Sequence, residues 1–231
     1  ALLINSPNNP TGAVYTREEL KAIGDFAVAN DLYIIADEIY EKLVYGEKHI
    51  SIASLSQEIY DRTITVNGLS KAYAMTGWRI GYTASSVEIA DVMSNIQSHA
   101  TSNPNTIAQY AGIEALNGDQ APIEEMRIAF EARKDYMVKT IQAIPNISCV
   151  EPKGAFYVMV DISYFKGKTI DGVKIDGSLD LAAVLIDKAN IAVIPGIAFG
   201  VDDYVRLSYA TSMENIEEGL RRLHDFCSTW Q

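Results

Sequence analysis

The sequence predicts an α/β fold: a large domain with a mostly parallel sheet, followed by a smaller C-terminal α+β domain. Up to about residue 85, short apolar runs that end in turns alternate with amphipathic stretches of helical spacing, the pattern of a parallel sheet covered by helices. After Pro145, short strands are separated by single helices, as in an α+β lobe. We therefore predict a first domain over residues 1–116, including a bridging helix, and a second over 117–231.

In the first domain, residues 2–4 have the pattern of a strand, and the Pro, Asn and Gly content of residues 7–12 indicates a turn. Thr16 with Glu19 is typical of a helix N-terminus, and apolar residues continue after it at helical spacing. Further strands are predicted over 33–36, 63–66 and 79–84, and helices over 87–116, interrupted near Asn103 and Pro104, and 122–144.

The second domain has predicted strands over 147–150, 155–162, 192–194 and 205–208, and predicted helices over 179–188 and 213–226. Residues 166–177, rich in Lys, Gly and Asp, indicate an exposed loop.

The composition limits the classes of function. Thirty acidic side chains against nineteen basic ones give a net charge of −11, which disfavours nucleic acid and anionic membranes and favours a small-molecule partner. No apolar run approaches the ~20 residues that cross a bilayer, and no signal peptide is visible. The two cysteines, Cys149 and Cys227, lie far apart and the three histidines are scattered, so we expect no metal site, no disulfide and a cytoplasmic location.

Lys71 is the first candidate for chemistry, because it lies among small, aromatic and apolar residues over 67–82. An ammonium with such neighbours loses hydration, which favours the free amine that attacks carbonyl groups. A packed stem with its head in water is the alternative.

Asp37 ends an apolar strand, where a carboxylate needs a partner such as a protonated ring nitrogen; a helix N-cap is the alternative. Tyr40 lies near the same site if a helical turn follows Asp37, and is otherwise a packed tyrosine. Asn9, Asp37 and Lys71 all follow predicted strands, and ligands of such sheets bind beyond the carboxyl ends of strands.

Basic groups complete the set of candidates. Arg79 opens a predicted strand beside Ser70, so a guanidinium and a hydroxyl could both bind a phosphate, although surface ion pairing is the commoner role of an isolated arginine. Arg206 lies inside a predicted strand, where its charge requires a carboxylate, either internal or on a substrate.

These residues occur in motifs that resemble the class I and II aminotransferases, fold-type-I enzymes dependent on pyridoxal phosphate, most closely the bacterial aspartate-aminotransferase-like group. The resemblance covers nearly the whole chain. It runs through the segments Asn5-Ser6-Pro7-Asn8-Asn9-Pro10-Thr11-Gly12, Asp37-Glu38-Ile39-Tyr40, Ser70-Lys71, Met75-Thr76-Gly77-Trp78-Arg79-Ile80-Gly81, Gly154-Ala155-Phe156-Tyr157 and Arg206-Leu207-Ser208-Tyr209.

The resemblance implies a role for each candidate. Lys71 would form the Schiff base with pyridoxal 5′-phosphate and move the proton during transamination, and Asp37 would hold the pyridine nitrogen protonated. Asn9 and Tyr40 would bind the ring oxygen of the cofactor, and Ser70 and Arg79 its phosphate. Arg206, with help from Asn9, would bind the carboxylate of the amino acid or 2-oxo acid substrate. The family also implies a homodimer.

The chain departs from the family pattern in three respects. Its asparagine-rich turn lies at residue 5, whereas the family places this turn roughly 160 to 170 residues from the start, so we expect a fragment that lacks an N-terminal portion and has weak cofactor binding and little activity. Gly68 stands where many members have serine. Residues 98–102 lack the arginine with which some relatives read a substrate side chain.

Three other functions stay open. A carbon-sulfur lyase shares this fold, although Tyr40 favours transamination because that branch often has histidine there. A transcription regulator could use the fold to sense pyridoxal phosphate without turnover, and a winged-helix domain encoded upstream would identify it. A purely structural remnant is the third.

Overall fold

The computed structural model describes residues 1–230, and its contacts divide them into two compact units. One unit comprises residues 1–8 and 13–127, and the other comprises 9–12 and 128–230. This division places the boundary inside the long helix rather than at residue 116, and it groups part of the proline-rich turn with the second unit. None of the helices among these residues is long and apolar enough to cross a bilayer.

A four-stranded sheet forms the centre of the first unit. Its strands are β1 (Leu2–Asn5), β2 (Ile34–Asp37), β3 (Thr63–Gly68) and β4 (Gly81–Ala84), adjacent in that order. β1, β2 and β3 are parallel and β4 is antiparallel to β3. The mostly parallel sheet predicted from the sequence is therefore present.

Helices of the first unit follow the predicted pattern. They are α1 (Arg17–Ala29), the short α2 (Gln57–Tyr60), α3 (Val87–Ala100), α4 (Thr106–Asn117) and the first part of α5 (Ala121–Ala143). α1 begins with the capping box predicted at Thr16 and Glu19, in which each side chain accepts the other residue's backbone N–H. Leu20 and Ala27 of α1 pack with Ile34 and Ile59 in a buried core beside the sheet.

An antiparallel sheet forms the centre of the second unit. It contains β5 (Ser148–Cys149), β6 (Tyr157–Asp161), β10 (Tyr204–Ser208) and β9 (Ile194–Pro195), adjacent in that order. α6 (Ser178–Val184) continues as a π-helical turn over Leu185–Ala189, and α7 (Met213–Thr229) follows β10. This is the α+β arrangement predicted for the second domain.

Residues 166–177 differ from the exposed loop that their composition indicates. They contain a hairpin of β7 (Thr169–Ile170) and β8 (Val173–Lys174). Ile170 and Ile175 are buried in the core, at 1% and 0% exposure. The polar residues around these two side chains in the sequence give no sign of this burial.

Candidate active site

The carboxyl ends of three parallel strands meet at one edge of the first sheet. Asn5, the last residue of β1, pairs with Asp37, the last residue of β2, and Asp37 pairs with Val66 of β3. Two residues after Val66, β3 ends at Gly68, and the turn that carries Lys71 follows. The predicted convergence of Asp37 and the lysine turn at this edge is therefore present.

Asp37 is held in place by its neighbours in the first unit. Its Oδ1 accepts the backbone N–H of Ile39 at 3.1 Å, and its carbonyl oxygen accepts from the backbone of Ser6 at 3.2 Å and from Asn5 Nδ2 at 3.1 Å. A turn over residues 39–42 follows, not a helix, so the N-cap alternative does not apply.

Tyr40 and Lys71 lie together. The turn after Asp37 buries Tyr40, which is 3% exposed, and Lys71 Nζ lies 5.9 Å from the centroid of its ring. The neighbours of Lys71 in the sequence include the buried residues Leu69, Ala72 and Met75. The carbonyl oxygen of Leu69 accepts the backbone N–H groups of Tyr73 and Met75, both at 3.3 Å. These contacts place the half-buried lysine in a compact, mostly apolar turn, as its sequence context predicts.

Ser70 and Arg79 lie on adjacent chain segments. Gly68 pairs with Gly81, and Leu69 N donates to Ile80 O at 3.5 Å, so Ser70 and Arg79 are the chain neighbours of two residues in contact. The sequence predicted that Arg79 is the first residue of a strand, but β4 begins at Gly81. Arg79 instead ends a 3₁₀ turn over Thr76–Trp78, with φ of 53°. Its Nη1 donates to Thr76 O at 2.9 Å. The guanidinium is exposed and locally anchored.

Close packing accounts for glycine at position 68. A Cβ there would lie 3.1 Å from Gly81 Cα and 3.2 Å from both Ile39 Cδ1 and Ile80 O, so any side chain would displace its neighbours. The Gly68 backbone N–H donates to Asn67 Oδ1 at 2.7 Å.

In the second unit, two aromatic rings hold Arg206 in the centre of the sheet. Its Cζ lies 4.3 Å from the ring centroid of Tyr157 and 4.8 Å from that of Phe199. Nη1 donates to Asn9 Oδ1 at 2.7 Å, whereas the buried Nε has no hydrogen-bond partner within residues 1–230. The internal hydrogen-bond partner of Arg206 is thus an amide oxygen and not the carboxylate that the sequence also allowed.

Sequence reasoning missed four residues at these places. Tyr157 and Phe199 flank Arg206, and the motif that contains Tyr157 gave no hint of this contact. Buried Glu38 and partly buried His49 form a pair beside Asp37, with Nε2 of His49 3.1 Å from Oε2 of Glu38. Eleven residues separate them, and no local pattern signals such a pair.

An open cleft of about 340 Å³ in the second unit contains none of the predicted residues. It is lined by α7 and residues near β10, among them Asn190, Ser208, Asn215 and Arg222. Arg222 is bonded to Glu218 of the same helix at 2.7 Å, and no cluster of groups with evident chemistry is found there. We therefore place the candidate site at the edge where Asp37 and the Lys71 turn follow adjacent parallel strands.

Comparison with known proteins identifies the family of the chain. The family described as aminotransferase class I and II matches residues 1–223. An aspartate aminotransferase of Bacillus sp. (strain YM-2) is 49% identical over 227 residues, 98% of this chain and 57% of that protein. A probable aspartate/prephenate aminotransferase of Aquifex aeolicus is 47% identical and is covered to 56%.

Solved structures give the same result. The aspartate aminotransferase of Rhizobium meliloti superposes with a TM-score of 0.94 at 39% identity, over 98% of this chain and 57% of that one. The aromatic aminotransferase of Pyrococcus horikoshii OT3 gives 0.91 at 39% identity, over 99% and 60%. The chain thus spans less than two thirds of these relatives. Its fold class and its resemblance are both confirmed, and the chain belongs to the class I and II aminotransferases.

Proposed function

We propose that this chain carries the cofactor lysine and the substrate-binding arginine of an aminotransferase that depends on pyridoxal 5′-phosphate. The observation that carries the proposal is the meeting of Asp37 and the Lys71 turn at the carboxyl ends of adjacent parallel strands. The names of the matched relatives support the same activity.

The groups of the first unit fit this cofactor. An amine, a carboxylate and a phenol match the aldehyde, the pyridine nitrogen and the ring oxygen, and a hydroxyl and a guanidinium match a phosphate. Asp37 has one carboxylate oxygen engaged by a backbone N–H, which orients the group.

Bound pyridoxal phosphate would supply an electron sink for the substrate carbon. Asp37 would accept the hydrogen bond of a protonated pyridine nitrogen and hold that proton in place. Tyr40 and Asn9 would donate to the ring oxygen, and Ser70 and Arg79 would bind the phosphate. Lys71 would hold the cofactor through Nζ and, once released, take up and return a proton at that nitrogen.

Arg206 would bind the substrate carboxylate. Its guanidinium offers planar paired donors, and the rings of Tyr157 and Phe199 fix that plane, which lowers the conformational entropy lost on binding. Asn9, already bonded to Nη1, would help to position the carboxylate.

The names of the relatives indicate the substrate class. We propose an amino acid and a 2-oxo acid, because the names of the relatives range over aspartate, prephenate and aromatic compounds. We further propose that the protein acts as a cytoplasmic homodimer that binds neither nucleic acid nor membranes, which agrees with the acidic net charge of −11.

Covalent trapping tests the role of Lys71. The chain is incubated with millimolar pyridoxal phosphate and reduced with borohydride, and the modified peptide is identified by mass spectrometry, which detects weak loading as well as strong. We expect the label on Lys71 and its loss in Lys71→Ala, while Lys139→Ala, which removes an exposed lysine of α5, keeps it. Equal labelling of several surface lysines would contradict the proposal.

Product analysis separates the two enzyme classes. The loaded chain is supplied with a panel of amino acids and 2-oxoglutarate, and separately with a thioether amino acid. We expect only slow formation of glutamate. Release of thiol with ammonia would instead support the carbon-sulfur lyase.

A further inference from the structure

Three metal-ligating side chains meet next to the candidate site, none of which has a role in it. They are Glu38, Glu41 and His49, and one ligand atom of each lies within 4.8 Å of those of the other two. Glu38 directly follows Asp37, and Glu41 directly follows Tyr40. All belong to the first unit.

The buried pair already has the spacing of metal ligands. Glu38 is 5% exposed, the side chain of His49 is 10% exposed, and Nε2 lies 3.1 Å from Oε2. Ligand atoms about 2.0–2.2 Å from an ion stand roughly 3.0–3.5 Å apart when they are adjacent in a tetrahedral or octahedral shell. An ion could therefore replace the proton between the two atoms with little movement.

His49 supplies a second, independent observation. Its Nδ1 is buried and has no hydrogen-bond partner among residues 1–230. Such orphaned nitrogens are rare and are explained by water or an ion. A cavity of about 10 Å³, lined by both Glu38 and His49, has room for about one water molecule. A histidine that ligates a metal through Nε2 needs an outer hydrogen bond at Nδ1, which a water molecule can accept.

Glu41 provides the third ligand and the route of entry. Its side chain is 27% exposed, and its ion pair with Lys42, at 3.7 Å, is long. Loss of an exposed pair of this kind costs little, so the carboxylate can turn towards an ion. The net charge of −11 favours the approach of cations.

We propose that Glu38, Glu41 and His49 form a binding site for one divalent transition-metal ion, with Zn²⁺ as the natural occupant. One imidazole and two carboxylates suit Zn²⁺, and water completes the shell. The ion would brace the turn that carries Asp37 and Tyr40, because two of its ligands are their immediate neighbours in the chain. This site departs from the sequence-based expectation of no metal, and it does not depend on the proposed aminotransferase activity.

Calorimetric titration of the untagged chain with Zn²⁺ tests the site, together with the visible absorption of a Co²⁺ complex. We expect one ion per chain. Glu41→Gln should weaken Zn²⁺ binding at least about tenfold. Loss of a hydrogen-bond partner of a metal ligand already lowers metal affinity by about 10–100-fold, and this variant removes a ligand itself. Glu41 is partly exposed, so this variant should fold, which circular dichroism verifies. His49→Gln should abolish the Co²⁺ spectrum.

Matched controls remove side chains that could bind a metal ion but lie outside the proposed site. His99→Gln and Glu58→Gln change exposed side chains, and Cys149→Ser removes a partly exposed thiol. We expect all three to bind as the parent does. The proposal is overturned if the parent binds no Zn²⁺, or if Glu41→Gln and His49→Gln bind as tightly as the controls.

Discussion

At the residue scale, burial determines the chemistry of the two cysteine thiols. Cys227 on α7 is fully buried, and this raises the pKa of its thiol to about 12. Cys149 on β5 is partly exposed, and burial first and the charge of Glu151 second raise its pKa as well. Only the thiolate attacks disulfides, so a thiol of pKa about 12 has roughly one reactive molecule in 10⁴ at pH 8.

We therefore expect a disulfide reagent at pH 8 to modify Cys149 slowly and Cys227 only after unfolding. The release of coloured thiolate is followed with and without urea. Cys149→Ser should lose the native-state reaction, and Cys227→Ser should keep it. The opposite pattern in these two variants would contradict the burial argument.

The sequence predicts some site residues because their signal is local. Asp37 and Lys71 each follow an apolar strand, and parallel strands bring their carboxyl ends to one edge, so adjacency follows from the pattern. The contact of Tyr157 with Arg206 and the Glu38–His49 pair arise from tertiary packing between distant residues. No spacing rule contains that information.

At the element scale, helix α1 depends on its N-terminal cap. Thr16 Oγ1 accepts the Glu19 backbone N–H at 3.2 Å, and Glu19 Oε2 accepts that of Thr16 at 2.8 Å. We expect Thr16→Ala to lower the free energy of unfolding of the first unit by about 0.5–2 kcal/mol. Urea unfolding followed by circular dichroism measures this. Thr16→Ser keeps the hydroxyl acceptor and should lower the free energy of unfolding much less than Thr16→Ala. If the two variants lose equal stability, the methyl group of Thr16 matters and the cap does not.

Helix α7 contains a charge cluster that makes its stability depend on pH. Hydrogen bonds from Arg221 and Arg222 lower the pKa of Glu218 to about 2. A carboxyl group with a lower pKa in the folded state stabilises the fold above its unfolded pKa of about 4.5, and this is lost as pH falls towards 2.

Glu218→Gln should therefore melt at a lower temperature than the parent at pH 7, with the difference shrinking below pH 4.5 and largely lost by pH 2. Thermal unfolding over that range measures it. High salt should also reduce the difference, since these groups are exposed. Glu217→Gln, on the same helix, is the control. A difference that persists at pH 2 would point to packing instead of charge.

Element types were predicted better than element ends. Buried residues recur about every 3.6 residues in α1 and every two residues in β2, because each element buries one face. These periods identify the helix and the strand. The strand predicted to begin at Arg79 begins at Gly81 instead, since a 3₁₀ turn and a positive φ at Arg79 come first. Turns of that kind depend on neighbours such as Gly68, whose close approach to Gly81 no local pattern reveals.

At the scale of the whole molecule, the first unit exposes much apolar surface. Helix α3 has no buried residue, and Val92 and Ile96 are 57% and 64% exposed. On α4, Ile107 and Tyr110 are 72% and 71% exposed. β4 is exposed along its length. Exposed apolar side chains favour association with another protein surface, and an edge strand adds unpaired backbone groups to them.

We therefore expect the isolated chain to self-associate through this surface. Its net charge of −11 opposes association, and salt screens that repulsion, so the average mass should rise with both protein and salt concentration. Light scattering after size-exclusion chromatography measures it. Ile96→Glu should shift the chain towards monomer, because it places a charge in the apolar surface. Leu179→Glu adds the same charge at a 63% exposed position of α6, in the second unit. This control separates the effect of net charge from the loss of apolar surface on α3. If it dissociates the assembly equally, net charge and not the α3 surface controls association.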